Sequence, residues 1–483
     1  MKNSQLVSSL ISILFFNSAT SSPVDPYHNI SHDGGIKVRD TNGKLNSKTT
    51  ILLSIDGFAQ FYFERNITPN ISKLGQDGIL SEYMSPVFPT VTFANHYSIA
   101  TGLHPKNHGI IGNTFYDATL NDTFYYTQPS GQDSKWWGGE PIWVTAEKNK
   151  VISAINMFPG SESEIKGIRP TYYSKYDGTV NQTSKIDKIM SWLEMPIEKR
   201  PTFLVTYFPE VDSIGHSFGP YSKQVNDSLI QIDNTIGYLV SSLKQRNLFD
   251  KVNIIIVSDH GMSLSHVPAD NIPVEDLLKK ANLELTINPP KPSANPKCKV
   301  LSPVKEKILS VHLYPHAGIY PQDDKDIRSI YKKLKMVEDT SKFNVYLKKD
   351  IPERFNYRDN VRIPPIAIIP NEPYIMTFNG TIYNADIKKR VSIDSLNKRQ
   401  SSSSTASTPF GVHGYDNKEE DMRAIFVAHG PSFKKMQTPS NPKQIHNYPK
   451  VNMLDIYNVL AKLLDVAPAP NDGSNSLVDG IVA

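Results

Sequence analysis

Asp56 directly follows the apolar run Ile51 to Ile55, Asp212 and His216 follow Phe203 to Phe208, and Asp259 with His260 follow Ile254 to Val257. Carboxylates crowded into one site repel and raise each other's pKa unless a cation neutralises them. Oxygen-only ligand sets suit magnesium or calcium, whereas carboxylates mixed with imidazoles suit zinc or a similar transition metal. A lone aspartate after a strand is ordinarily a turn or helix cap. Three of them, two with histidine nearby, point instead to a metal centre. His413 sits in Gly411-Val412-His413-Gly414-Tyr415-Asp416-Asn417, just before the run Ala424 to Val427. Alone it reads as a surface histidine, but its flanking glycines permit close backbone approach and make it a candidate sixth ligand. His96 and His108 read as ordinary polar or core residues.

A hydroxyl opens a helix-like stretch in Phe88-Pro89-Thr90-Val91-Thr92-Phe93-Ala94-Asn95-His96-Tyr97. The plain reading of threonine there is an N-cap. A helix N-terminus also stabilises anions, so the position equally favours a threonine alkoxide beside a phosphate. Composition alone does not choose between the two.

The elements that must hold these groups are short apolar runs separated by helix-like segments. Ile51 to Ile55, Val151 to Ile155, Phe203 to Phe208, Ile254 to Val257 and Ala424 to Val427 look like strands buried on both faces. That pattern predicts an α/β fold, a mostly parallel central sheet with helices on both faces. Ligands bind beyond the carboxyl ends of such strands, where the acidic residues and histidines fall. Val225, Leu229, Ile232, Ile236, Leu239, Val240 and Leu243 recur at helical spacing and predict a crossover helix, and a second helix is expected from about Asn452 to Leu464. Between residues 281 and 407 prolines and basic residues cluster and the alternation is lost, which reads as an α+β insertion ending near Ser401 to Ser404. The catalytic α/β domain is then expected in two parts, residues 49–280 and 408–483.

With 52 basic and 48 acidic residues the formal charge is +4, too little over 483 residues to imply a nucleic-acid-binding surface. Residues 1–22 read as a secretory signal, with Lys2 before the apolar stretch Leu6 to Phe16, and residues 23–48 as a flexible lead-in. No membrane span is expected after signal removal. Export implies a secreted or extracellular protein, with cell wall or vacuole as further destinations. Seven sequons, at Asn29, Asn66, Asn70, Asn121, Asn181, Asn226 and Asn379, agree with export as glycosylation acceptors. Cys298 is the single cysteine, so no intramolecular disulfide can form and the fold must hold by its core.

Five blocks occur in order: Ser54-Ile55-Asp56-Gly57, Pro89 to Tyr97, Asp212-Ser213-Ile214-Gly215-His216-Ser217-Phe218-Gly219-Pro220, Ser258-Asp259-His260-Gly261-Met262 and His413 to Asn417. Together they closely resemble the nucleotide pyrophosphatase/phosphodiesterase family of the alkaline phosphatase superfamily. The resemblance implies two zinc ions, one held by Asp212, His216 and His413, the other by Asp56, Asp259, His260 and the Thr92 oxygen. Thr90 is the competing hydroxyl, but in the family pattern the nucleophile directly precedes the phenylalanine, which makes it Thr92. Asn113 matches a position whose amide contacts a phosphate oxygen, and Phe93 and Tyr176 match two aromatics that hold a nucleobase. Phe158 stands where many members have tryptophan, and Ala94 replaces a frequent proline, departures that bear on substrate preference. The expected activity is hydrolysis of nucleoside triphosphates and dinucleotides through a covalent threonine-nucleotidyl intermediate, releasing nucleoside 5'-monophosphates. The family's extra cysteine-rich domains are not evident, so a catalytic core is expected.

The same ligands could serve a phosphodiesterase acting on lysophospholipids. A phosphomonoesterase fits less well without an arginine clamp for a terminal phosphate. Arylsulfatase chemistry fails because Cys298 lacks the required setting. An inactive secreted binding glycoprotein is the reading from a different class.

Overall fold

The computed structural model describes residues 49–285, 307–313, 315–378, 381–384, 389–392, 408–436 and 445–483. The signal and lead-in readings, Cys298, Ser401 to Ser404 and the sequons at Asn29 and Asn379 lie outside the described residues.

Seven strands form the main sheet: β1 Thr50–Ile55, β2 Ile79–Leu80, β3 Ser153–Asn156, β4 Tyr172–Ser174, β5 Phe203–Phe208, β6 Asn253–Val257 and β7 Phe426–His429. Their spatial order is β2-β7-β6-β1-β5-β3-β4. Ile51 sits between Leu204 and Ile254 in parallel register. β7 departs from the expected parallel run: it pairs antiparallel with β6, Val427 opposite Ile256, and begins two residues later than its apolar stretch. A run of apolar residues records burial on both faces, not direction, and an antiparallel strand is readily accommodated near the edge of such a sheet. β3 likewise begins at Ser153, because the Val151 N–H is taken by Ala146 O.

Alternation along the strands divides the interior into two layers. Ile51, Leu53 and Ile55 of β1 face a core shared with α1 Pro69–Asp77, α4 Gln182–Leu193 and α6 Lys223–Gln245, while Leu52 faces α2 Thr92–Thr101, α3 Ile142–Lys148 and α7 Asp455–Leu464. α5, Glu210–Phe218, follows β5 directly. The α6 stripe behaves as its spacing predicts, with Leu229, Ile232, Ile236 and Leu239 fully buried. Each such burial contributes about 1.5–3 kcal/mol. The Ser222 hydroxyl caps the helix by accepting the Val225 N–H at 3.2 Å.

A second sheet runs in the order Glu284–Leu285, Lys307–Leu313, Ala317–Pro321, Ile366–Pro370, Phe343–Leu347. Its separate core gathers Ile319, Ile330, Leu334, Val345 and Ile368, and Val274 and Leu277 already belong to it. No helix among the described residues is long and apolar enough to cross a membrane.

The described sequons differ in setting. Asn121 and Asn181 are exposed at a turn and a helix cap, whereas Asn70 donates through Nδ2 to Asp233 at 2.8 Å and packs against Gly237. In a glycosylating host, glycopeptide mapping is expected to find glycan on Asn121 and Asn181 and none on Asn70. Occupied Asn70 in folded protein would contradict this packing.

Candidate metal centre and active site

β6, β1 and β5 are neighbours, so their carboxyl ends deliver Asp259, Asp56 and the start of α5 to one edge. Gly57 has φ +66, and a Cβ there would lie 2.8 Å from Asp212 Cα. Only glycine lets the turn after β1 come so close to α5. Its N–H donates to Asp259 Oδ1 at 3.1 Å, fixing that carboxylate. On α5, Asp212 and His216 are four residues apart and share one helix face. His413 arrives from strand Thr408–Val412, which pairs antiparallel with Ser263–Val267 just after His260. Gly411 lies so close to Gly215 that a Cβ would meet its carbonyl oxygen at 2.3 Å. That contact allows Gly411 O to accept from His216 Nδ1 at 2.7 Å.

All six predicted ligands are buried and gathered. Asp212, His216 and His413 form one group with ligand atoms within 4.8 Å of one another, and Asp56, Asp212 and His260 form a second. Asp259 Oδ2 lies 3.0 Å from His260 Nε2, which is 3.5 Å from Asp56 Oδ1. The imidazoles share one orientation: His216 Nδ1 faces Gly411 O, His260 Nδ1 faces Gly261 O, and His413 Nδ1 faces Thr90 O, at 2.7–2.8 Å. A carbonyl only accepts, so each Nδ1 carries a proton and each ring turns its Nε2 toward the carboxylates, where the neutral form offers a lone pair to a metal. Burial would lower His260, but Asp259 and Asp212 outweigh it and hold this ring above the ordinary imidazole range. His216 Nε2 and His413 Nε2 approach to 3.1 Å. Lone pairs and carboxylates converging in a dry site fit divalent metal ions, with backbone carbonyls orienting the rings from behind. Burial, with His260 and His216 alongside, holds His413 well below the ordinary imidazole range. Burial alone would raise Asp259, but His260 and His96 hold it well below the usual carboxylate range.

Thr92 is the first residue of α2, and Val91 is the N-cap, without a side-chain bond. The plain reading of Thr92 as a cap therefore fails. Its hydroxyl is buried, 3.4 Å from His260 Nε2. Thr90 is committed elsewhere: its hydroxyl donates to Tyr415 O at 3.1 Å and accepts the Gly414 N–H at 2.9 Å, tying down the His413 loop. Asn113 Oδ1 accepts the Phe93 N–H at 2.9 Å. Its Nδ2 is buried and has no hydrogen-bond partner among the described residues.

Thr92 and Asp212 line a cleft of about 580 Å³ together with Phe93, Phe158, Tyr176 and Tyr126. Phe93 leans on Tyr126 at 4.8 Å between centroids, Phe158 is buried, and Tyr176 is 47% exposed with its ring 6.3 Å from that of Tyr207. Glu162, Arg169 and Lys175 also line it.

Two residues at the site escape the sequence reading. His96 is no ordinary core residue: Nδ1 lies 3.2 Å from Asp259 Oδ2 and 2.9 Å from Thr92 O, with Nε2 2.8 Å from Ser54 Oγ. Its spacing of four from Thr92 on one helix was the available signal. The Tyr207 hydroxyl donates to Asp56 Oδ2. A tyrosine inside a buried strand needs such a partner, but the strand pattern does not name it. His108, bonded to Ser98 and held down to about 3 by burial, is a core residue as expected.

Residues 50–416 match the family model for type I phosphodiesterase / nucleotide pyrophosphatase. The chain belongs to this family. It is 35% identical over 433 residues to an uncharacterized pyrophosphatase/phosphodiesterase of Schizosaccharomyces pombe, covering 88% of this chain and 79% of the relative. A venom phosphodiesterase of Crotalus durissus collilineatus is 33% identical over 439 residues, covering 89% of this chain and 46% of the venom protein. Ectonucleotide pyrophosphatase/phosphodiesterase family member 3 of Rattus norvegicus is 33% identical over 437 residues, 89% of this chain and 44% of its own. The chain thus spans less than half the length of the venom and rat relatives. Murine ectonucleotide pyrophosphatase/phosphodiesterase 5 superposes with TM-score 0.71 at 28% identity, covering 90% of this chain and all of that one. An inactive threonine-to-alanine variant of the murine protein has been solved in complex with AMP. These structures carry the alkaline phosphatase-like fold, and the central sheet here agrees with it.

Removing divalent metal leaves the acceptors facing one another. Chelation is therefore expected to lower the thermal midpoint, and metal at 100 times its dissociation constant to restore about 2.7 kcal/mol. Differential scanning fluorimetry reads this directly, and a midpoint indifferent to chelator would tell against the centre. His96→Ala should weaken metal retention roughly 10- to 100-fold, as loss of an orienting partner does. Titration with a competing chelator checks it, and wild-type retention would return His96 to the core.

Proposed function

We propose that this protein is an exported two-zinc enzyme that hydrolyses nucleotide pyrophosphate and phosphodiester bonds, with Thr92 as nucleophile. The observation that carries the reading is the buried Thr92 hydroxyl at the start of α2, beside His260 and open to the aromatic cleft. Asp212, His216 and His413 would hold one zinc, and Asp56, Asp259, His260 and the Thr92 oxygen the other. Bound zinc supplies charge neutralisation, lowering the pKa of the threonine hydroxyl and stabilising the leaving oxygen.

This chain's own residues do the rest. Thr92 Oγ1 attacks phosphorus as its proton departs to solvent, the bond to the leaving oxygen breaks, and that oxygen keeps the electron pair. Pyrophosphate or an alcohol leaves, and the nucleotidyl group stays on Thr92. Water then attacks the same phosphorus from the vacated side, restoring the hydroxyl and releasing a nucleoside 5'-monophosphate. Asn113 Nδ2 and the N-terminus of α2 are suited to stabilise charge on the phosphoryl oxygens, a donor of this kind being worth about 3 kcal/mol. Phe93 and Tyr176 share the cleft beside Thr92, where a base can stack. The AMP complex of the murine relative supports a nucleotide as occupant. The apolar stretch behind Lys2 and the match to venom phosphodiesterases support export.

Thr92→Ala should lower hydrolysis of a chromogenic nucleotide ester by ~10³-fold or more while zinc content stays near two per chain. Tyr176→Ala should cost about 1–3 kcal/mol in kcat/KM for nucleotides. Full activity in the Thr92 variant would remove the nucleophile. Faster cleavage of a chromogenic phosphocholine ester than of the nucleotide ester would replace the substrate class with lysophospholipids.

A further inference from the structure

Arg362 lies in the segment joining strands Phe343–Leu347 and Ile366–Pro370 of the second sheet, far in sequence from every residue assigned above. Its side chain is 11% exposed and its guanidinium is nearly saturated. Nε donates to Asp117 Oδ2 at 2.8 Å, Nη1 to Gly109 O and Trp136 O at 2.7 Å each, and Nη2 to Lys135 O at 3.1 Å. The fork also lies 5.4 Å from the ring centroids of both Phe115 and Trp136.

Gly109 and Asp117 stand at equal distances on either side of Asn113 in the sequence. One guanidinium therefore grips both flanks of the segment that presents the Asn113 amide. Gly109 has φ +82, and a Cβ there would meet Arg362 Nη1 at 2.7 Å, so the approach leaves no room for a side chain. Asp117 in turn accepts the Thr119 and Leu120 N–H groups at 2.9 and 3.1 Å, fixing the turn beyond. The same segment adds two further ties: the Tyr357 hydroxyl donates to Ile111 O and Asn360 Nδ2 donates to Lys106 O, both at 2.8 Å. Every tie lands on backbone or on Asp117, and the unpartnered Asn113 Nδ2 is left aimed by the frame around it.

We propose that Arg362 is a positioning residue for Asn113, holding the segment from Gly109 to Asp117 so that the Asn113 amide meets the phosphoryl group. The second sheet is then part of the catalytic apparatus and not an appendage. This rests on the reading of Asn113 as a phosphoryl contact. An arginine fork satisfying three carbonyls and a carboxylate has no substitute in lysine, whose ammonium reaches fewer partners and in other directions.

The test is a double-mutant cycle on the full zinc-loaded chain, assayed with a chromogenic nucleotide ester. Arg362→Lys is expected to lower kcat about 10- to 100-fold with zinc content unchanged, as a small misplacement of a catalytic group does. Asn113→Ala should show a comparable loss, and the double variant should fall within about twofold of Asn113→Ala alone, the margin of additivity measurements. Losses that multiply in the double variant would overturn the proposal, since Arg362 would then act elsewhere, as would wild-type kcat in Arg362→Lys. Wild-type kcat in Asn113→Ala would instead remove the role given to Asn113 above, a separate failure. Should Arg362→Lys not fold, Tyr357→Phe deletes one hydroxyl and keeps the ring. Its expected loss in kcat is about 3- to 10-fold, the worth of one hydrogen bond, and it too must vanish in the Asn113→Ala background.

Discussion

Everything at the active edge depends on one electrostatic requirement: carboxylates and the Nε2 atoms of three imidazoles converge where water is scarce. Groups of that kind cannot share a dry site without positive charge among them. The backbone sharpens the requirement, because Gly411 O, Gly261 O and Thr90 O occupy the Nδ1 protons of the three histidines and leave only Nε2 to face inward. A ring free to turn could relieve the conflict by offering an N–H. These rings are not free, so the positive charge comes from a bound divalent cation or, without one, from a proton on Nε2 of His260, which Asp259 and Asp212 favour against the cost of burial.

The sheet supplies that geometry through adjacency. Asp56 and Asp259 come from the touching strands β1 and β6, and Asp212 from the helix after β5 on the other side of β1. Close approach is permitted where side chains are missing, at Gly57 against Asp212 and at Gly411 against Gly215. Larger residues at either position would part the chain segments that carry the ligands. Behind the ligands lies another layer: Tyr207 on Asp56, and His96 between Asp259 and the Thr92 backbone. His96 couples α2, the helix that Thr92 opens, to the Asp259 carboxylate, so the position of one constrains the other.

The second sheet enters the same economy of constraints. Arg354 pairs through both of its terminal nitrogens with Asp416, three residues beyond His413, while Arg362 and Tyr357 fasten the segment around Asn113. Loops are the least ordered parts of a fold unless tied down, and here the ties come from a layer whose own core is separate.

Strand and helix identity could be read locally, because burial on both faces leaves continuous apolar runs and α6 leaves a stripe at helical spacing. The six candidate ligands left different signals: Asp56, Asp259 and His260 fall just past buried strands, Asp212 and His216 stand four apart on the helix after β5, and His413 showed only through its flanking glycines. What the chain's order could not reveal was direction and depth. Nothing in Ala424 to Val427 states that β7 runs against its neighbour, since hydrogen-bond polarity is settled by where the incoming loop arrives. The family pattern favoured Thr92 over Thr90, but residue types and spacing alone could not tell Thr92 from a helix cap, show Thr90 as a loop fastener, or lift His96 and Arg362 out of the ordinary. Those roles consist of partners far away in sequence, at Asp259, Tyr415, Asp117 and Gly109, and a partner exists only once the backbone has brought both groups within hydrogen-bond reach. Residue types and their spacing determined what chemistry was available; three-dimensional proximity decided which groups perform it and which hold them in place.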